Sequence, residues 1–217
     1  GFSVSQTMAV AQRLYESGKI TYMRTDSVSL SDLAVNTAKQ KIIDLHGEKY
    51  LKIRKFKTKS KGAQEAHEAI RPAYIDKDIT EGTSQEKRLY ELIWKRTIAS
   101  QMADAKLEKT NVSISVSNAE EQFIATGEVL VFDGFLKVYM ESSDDENGSN
   151  GNAQEIIPPL KVNDPLEMNE IVATQRFSQK PPRYTEASLV KKLEDLGIGR
   201  PSTYAPTITT IQNRNYV

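Results

Sequence analysis

The sequence predicts an α+β chain with more than one domain, helical towards both ends and β-rich between them. Three observations carry this. Apolar residues recur every three to four positions up to about Ala103, then every second position after Asp104. At Pro181-Pro182 that pattern stops and a helical period returns. Charge divides in the same places: residues 1–105 hold 18 basic against 13 acidic side chains, residues 106–178 hold 5 against 13, and residues 179–217 hold 6 against 3.

The first helix starts at Ser3, whose hydroxyl can accept an N3 amide while Gln6 reaches back, a capping box. Val4, Met8, Ala11, Leu14 and Tyr15 form its apolar face, and Gly18 stops it because glycine tolerates positive φ. Gly18-Lys19-Ile20-Thr21-Tyr22-Met23-Arg24-Thr25-Asp26-Ser27 follows, extended around Ile20–Met23. Ser29 or Ser31 caps a second helix with Leu33, Thr37, Ile42, Ile43 and Leu45 inward, ended by Gly47. The run from Lys52 to Lys61 carries six cations and no acid. It reads either as a solvated loop or as a phosphate-contacting loop with Phe56 offered to a base. Pro72 holds Arg71 extended. A long helix spans Ser84 to Ala103, with Leu89, Leu92, Ile93, Ile98 and Met102 on one face and Trp94 in the core.

Val112, Ile114 and Val116 then alternate with polar residues as a half-buried strand. Gln122–Thr126 and Val129–Phe132 continue the β pattern to a turn at Asp133-Gly134, and Ile171–Gln175 reads as another strand. Residues 141–153 read as an acidic, disordered surface loop, with turns at Pro158-Pro159 and Asp164-Pro165. Thr185 and Ser188 open a helix with Leu189, Val190, Leu193 and Leu196 on one side, ended by Gly197 and Gly199. A last helix begins after Arg200-Pro201-Ser202-Thr203, where a cation, hydroxyls and free N–H groups make an anion site.

At 38% hydrophobic and 27% charged, the 217 residues suit a soluble globular chain with a real core. No run of about 18 apolar residues exists for a membrane span, and the N-terminus lacks signal-peptide features. Without cysteine there are no disulfides or thiolate metal sites, a composition compatible with cytoplasm. A missing initiator Met and an abrupt end at Val217 lead us to expect a fragment. Net charge is zero, so a nucleic-acid partner is to be sought at the basic ends and not in the acidic middle.

Tyr22 and Arg24 are the first candidates for chemistry. A phenol attacks phosphorus only as phenolate, which needs nearby cations. The planar fork of Arg24 can pair two phosphate oxygens, and residues two apart on an extended backbone face the same way. By spacing alone, the pair reads as the exposed face of an ordinary strand. His67 can be a structural hydrogen-bonder or, with Glu68 and Arg71 in a loop, a phosphate reader. His46 suits a helix C-terminus. Glu65 and Glu68 lack a partner carboxylate spaced for a metal, so no metal ligand is assigned.

Three stretches in order resemble a known family. Residues 18–27 are similar to the active-site signature of type IA DNA topoisomerases. Ala66-His67-Glu68-Ala69-Ile70-Arg71-Pro72 resembles a second motif of that family, and Gly197-Ile198-Gly199-Arg200-Pro201-Ser202-Thr203-Tyr204-Ala205, with Glu186–Lys191 before it, a third. Met23, Glu68 and Arg71 favour the bacterial topoisomerase I branch over topoisomerase III. Ala73 departs from a usual Thr or Ser, and Asn215 from a common Gly. The resemblance covers about residues 3–217, most weakly in the acidic middle.

The resemblance implies relaxation of negatively supercoiled DNA without ATP, by a transient 5′-phosphotyrosine on Tyr22, strand passage and religation. Arg24 would hold the scissile phosphate or position Tyr22. His67 and Arg71 would contact phosphate, and Arg200, Ser202 and Thr203 the DNA backbone upstream. It further implies part of a torus: residues 1–105 as the helical tyrosine-bearing domain, 106–178 as a β-rich arch and hinge, and 179–217 as the start of a helical DNA-binding domain. The implied partners are single-stranded or underwound DNA and a missing Toprim domain that binds Mg2+, in a monomeric cytoplasmic, nucleoid-associated protein. No Asp-x-Asp cluster precedes Tyr22, so the isolated chain is expected to hold no metal and not to cleave DNA. A non-catalytic single-stranded-DNA-binding module is the alternative.

Overall fold

A computed structural model describes residues 1–56, 67–117, 120–140, 160–178 and 180–217. They fall into two compact units, one drawn from Gly1–Asp104, Gly134–Asp144 and Tyr184–Val217, the other from Ala105–Asp133 and Asp145–Arg183.

The first unit is helical. Helix α1 spans Val4–Glu16 and α2 spans Asp32–His46. Ser3 Oγ accepts the Gln6 N–H at 3.2 Å, one half of the expected box, while the Val4 N–H is taken at 2.7 Å by the Glu186 carboxylate. The stop at Gly18 has the expected form: at φ 68° it donates to Tyr15 O, and Lys19 N–H reaches Leu14 O. This closes two orphan carbonyls and turns the chain out of the helix. Of the two candidate caps for α2, Ser31 is used, accepting from the Ala34 N–H.

The inward face of α2 is Ala34, Val35, Ala38 and Ile42. Leu33, expected inward, is 77% exposed, and Leu45 is also exposed. The small residues Ala34 and Ala38 let the helix approach its neighbours closely, which rotates both leucines outward. Helix α3, Ser84–Ser100, carries a closed Thr83–Glu86 capping box and ends before the expected Ala103. It buries Leu89, Tyr90, Trp94 and Ile98 but leaves Leu92 exposed. Trp94 donates its indole N–H to Ile75 O at 2.8 Å, so a core position carries no unpaired donor. Val10, Leu14, Ile42, Ile98 and Met102 complete the core. Full burial of each such side chain contributes about 1.5–3 kcal/mol.

Helices α4 (Glu186–Asp195) and α5 (Tyr204–Asn213) belong to the same unit. Thr185 and Ser188, expected to open this helix, do so with a capping box. Ile208 of α5 is buried, and Gln212 Nε2 approaches Glu186 at 3.5 Å. Asn215, in place of the family's common Gly, has φ 52°. Asn is among the residues that tolerate this left-handed region, which explains why the departure is accommodated.

Among the described residues, the second unit contains one antiparallel pair, β1 (Lys106–Ser115) and β2 (Gln122–Phe132), in register from Leu107↔Leu130 to Ser115↔Gln122. The two β segments expected at 122–126 and 129–132 are one continuous strand. Ile171–Gln175 is not a strand; it lies exposed, without regular structure. Its apolar residues have no strand neighbour among the described residues, and a lone strand leaves its backbone groups to water. Lys161–Asp164 closes a turn in which Lys161 N–H donates to the Asp164 carboxylate at 2.8 Å. The sequence readings at 141–153 and at Pro158-Pro159 fall outside the described residues, as does the basic run beyond Phe56.

Candidate active site

The Tyr22 stretch is locked to the His67 stretch by backbone and by one hydroxyl. Ile20 bridges Pro72 in antiparallel fashion. Thr21 N–H donates to Arg71 O, and Ala73 N–H donates to Lys19 O, each at 2.9 Å. Thr21 Oγ1 donates to Ala69 O at 2.7 Å and accepts the Arg71 N–H at 2.9 Å. Ile20 and Met23 are buried, while Tyr22 and Arg24 face out. Tyr22 and Arg24 are thus both exposed, on either side of buried Met23, in a bent loop held by a single bridge and not in the extended stretch expected.

The Tyr22 ring, 39% exposed, sits between two aromatic edges. Tyr15 of α1 lies 5.1 Å away at 63°, and His67 lies 6.0 Å away at 81°. Such edge contacts contribute about 0.5–1.5 kcal/mol each and limit ring rotation. Sequence reasoning placed Tyr15 only on an apolar helical face. Its role beside Tyr22 depends on the Gly18 turn, which folds the chain back against the last turn of α1.

Most of the polar groups in residues 18–27 serve the loop itself. Lys19 Nζ donates to Glu81 O at 2.5 Å, Thr25 Oγ1 accepts from Ser27 N–H at 3.0 Å, and Ser27 Oγ accepts from Ser29 N–H at 3.3 Å. The Arg24 guanidinium is exposed and makes no hydrogen bond within the described residues. Tyr22, Arg24 and His67 are therefore the groups presented outward.

Arg71, expected to contact phosphate, has four of its donors engaged internally. Nε and Nη2 grip the Glu68 carboxylate at 3.1 and 2.6 Å, and Nη1 reaches the carbonyls of Pro72 (2.9 Å) and Ala73 (3.4 Å). Glu68 also accepts the Ser31 N–H at 2.6 Å. Burial pushes the Glu68 carboxyl up, but the hydrogen bonds from Arg71 and Ser31 outweigh it and hold it below the usual range.

The third motif lies in the same unit as the first. Burial raises the Tyr204 hydroxyl, as does the negative charge of Glu194, with Asp26 adding to it and Arg200 opposing. Asp26 and Arg200 thus act on one phenol. Thr203 Oγ1 accepts the Arg200 N–H at 2.9 Å and closes a turn, leaving Arg200 and Ser202 exposed beside it. Arg200 Nη1 donates to Gly199 O at 3.0 Å.

No three His, Asp or Glu side chains converge among the described residues. The described residues do not fit a magnesium site. No described helix is long and apolar enough to cross a membrane.

A phenol, a guanidinium and an imidazole, none of them buried, stand on the helical unit of an α+β chain. The family follows from comparison: a family model described as DNA topoisomerase matches residues 1–217, and the chain belongs to that family. It is 51% identical over 222 residues to DNA topoisomerase 1 of Synechocystis, covering all of this chain and 24% of that protein. It is 48% identical over 223 residues to DNA topoisomerase 1 of Zymomonas mobilis, covering 18% of that protein. Full-length topoisomerase I from Thermotoga maritima superposes with a TM-score of 0.70 at 36% identity, over all of this chain and 35% of that one. The chain therefore spans about a quarter of the curated relatives it matches.

Proposed function

We propose that Tyr22 is the nucleophile with which the whole protein cuts and rejoins one DNA strand, relaxing negatively supercoiled DNA without ATP. The Tyr22 oxygen attacks phosphorus as phenolate, its proton passing to water or a base outside this chain. The P–O3′ bond breaks, the 3′ oxygen takes up a proton, and the 5′-phosphate stays on Tyr22. The free 3′-hydroxyl reverses the step after another strand has passed. Because one phosphodiester is exchanged for another, no external energy source is needed.

The observation that carries this reading is the outward trio of Tyr22, Arg24 and His67 on two locked loops. Arg24 pairs the phosphoryl oxygens and His67 contacts the same phosphate or a neighbour. Arg200, Ser202 and Thr203 hold the backbone upstream. Residues 1–105 act as the tyrosine-bearing domain, 106–178 as a β-rich arch, and 179–217 as the start of a DNA-binding region. Single-stranded or underwound DNA is the substrate of a monomer acting in the cytoplasm at the nucleoid. A Toprim domain supplies Mg2+ and the proton-handling groups, so the isolated chain binds DNA without cutting it.

The test is Tyr22→Phe in a full-length topoisomerase carrying this segment. Relaxation and the covalent adduct should fall by roughly 10⁴-fold or more, with DNA affinity unchanged within about twofold. An equal fall in affinity would make Tyr22 a structural residue. Adduct formed by the 217-residue chain alone would refute the need for groups outside it.

A further inference from the structure

We propose that Glu68 and Arg71 form a positioning pair for the reaction at Tyr22, with Arg71 acting through Glu68 and not on DNA. The inference rests on the reading of Tyr22 as nucleophile.

Three strands of argument converge on it. The first is donor accounting. Arg71 spends four hydrogen bonds inside the protein, two on Glu68 and two on the carbonyls of Pro72 and Ala73. Its side chain is only 14% exposed, against 29% for Glu68. A guanidinium bonded in this way would have to give up its bidentate carboxylate to take a phosphate, leaving a half-buried carboxylate beside an anion.

The second is connectivity. One Glu68 oxygen accepts both Arg71 Nε and the N–H of Ser31, the residue that caps α2. On the other side of the pair, the Arg71 main chain exchanges hydrogen bonds with Thr21, next to Tyr22. The ion pair therefore ties the start of α2, the His67 loop and the Tyr22 loop into one body. Ala69 N–H donating to Ser29 O at 2.8 Å adds a parallel tie.

The third is placement. His67 precedes Glu68 directly, and its ring is held 6.0 Å from that of Tyr22. Fixing Glu68 fixes the backbone from which His67 projects. The pair is internally neutral, so the outward positive charge at this place comes from Arg24.

The experiment uses a full-length topoisomerase carrying this segment. Four forms are compared: Glu68→Gln, Arg71→Lys, Arg71→Gln and Glu68→Gln with Arg71→Gln. Trapped covalent adduct on a single-stranded oligonucleotide should fall about 10- to 100-fold in each, as expected when a reacting group is displaced by about 1 Å. The double variant should be no worse than the poorer single, since the two residues act as one unit. The slope of log affinity against log salt should stay that of the parent. A residue contacting phosphate would lower that slope by about 0.7–1.

A lowered slope in Arg71→Gln, or losses that multiply in the double variant, would overturn the proposal. So would undiminished adduct in Glu68→Gln. Unfolding of Glu68→Gln at the assay temperature would also overturn it, in favour of a folding role. Tyr22→Phe is the control: a parent with no Tyr22-dependent adduct refutes the nucleophile reading, whereas full adduct in Glu68→Gln refutes the pair alone.

Discussion

The imidazole of His67 stands nearly perpendicular to the Tyr22 ring, at 81° with centroids 6.0 Å apart, although the two residues come from different motifs. Neither side chain is buried, so the geometry is set by the loops beneath. Replacing His67 should therefore change chemistry more than fold. His67→Ala in the full-length protein should lower covalent adduct by about 10- to 100-fold, the value of a charge-assisted hydrogen bond to phosphate. DNA affinity at fixed salt should change by much less.

Arg24 is the outward cation of this loop, since Lys19 is turned to Glu81 O. Arg24→Ala should lower the salt slope of DNA binding by about 0.7–1. Arg24→Lys should keep that slope but still lose cleavage, because a point charge does not replace a planar fork. Salt titrations of the two variants, read beside adduct yield, separate these effects.

The acid limb of stability should carry the signature of Glu68. Its carboxyl is held below the usual range by Arg71 and Ser31. Its stabilising contribution is therefore complete above the unfolded carboxyl value of about 4.3 and is lost as pH falls through the lower folded value. Thermal melts of the chain between neutral and acid pH should show a shallower acid loss in Glu68→Gln than in the parent. An identical profile would mean that the charge of Glu68 contributes nothing.

Packing predicts a contrast along α2. Ile42 is fully buried, and Ile42→Ala should destabilise by about 2–5 kcal/mol. Leu33 lies on the same helix and is largely exposed; Leu33→Ser should stay within about 0.5 kcal/mol. Denaturant midpoints of the two variants check the corrected helix face directly.

Gly134 has φ 48°, and a Cβ there would fall 2.5 Å from Ala103 O and Asp104 O. Gly134→Ala should therefore cost more than the ordinary 1 kcal/mol of a left-handed alanine. The loss of stability is measurable by chemical denaturation.

How much of this was legible beforehand varies with range along the chain. The cap at Thr185, the stop at Gly18 and the choice of a serine at 29 or 31 to cap α2 rest on neighbours within about one helical turn, and the sequence displays them. The wrong face assigned to Leu33 and Leu92 has a different origin. Apolar periodicity marks a stripe but not which part of it meets another helix, and small residues such as Ala38 took the contact instead. Ile171–Gln175 has strand composition, but a strand exists only by pairing, and pairing is not a local property.

The same division runs through the site. By itself the sequence singled out Tyr22 and Arg24 as neighbours on an extended stretch after the Gly18 stop, which is as far as local spacing reaches. Only the tertiary structure decided that His67 and Tyr15 flank the phenol, and that Arg71 grips Glu68. Those partners are brought together by packing of the whole unit, and a guanidinium goes where the nearest carboxylate and free carbonyls satisfy its donors.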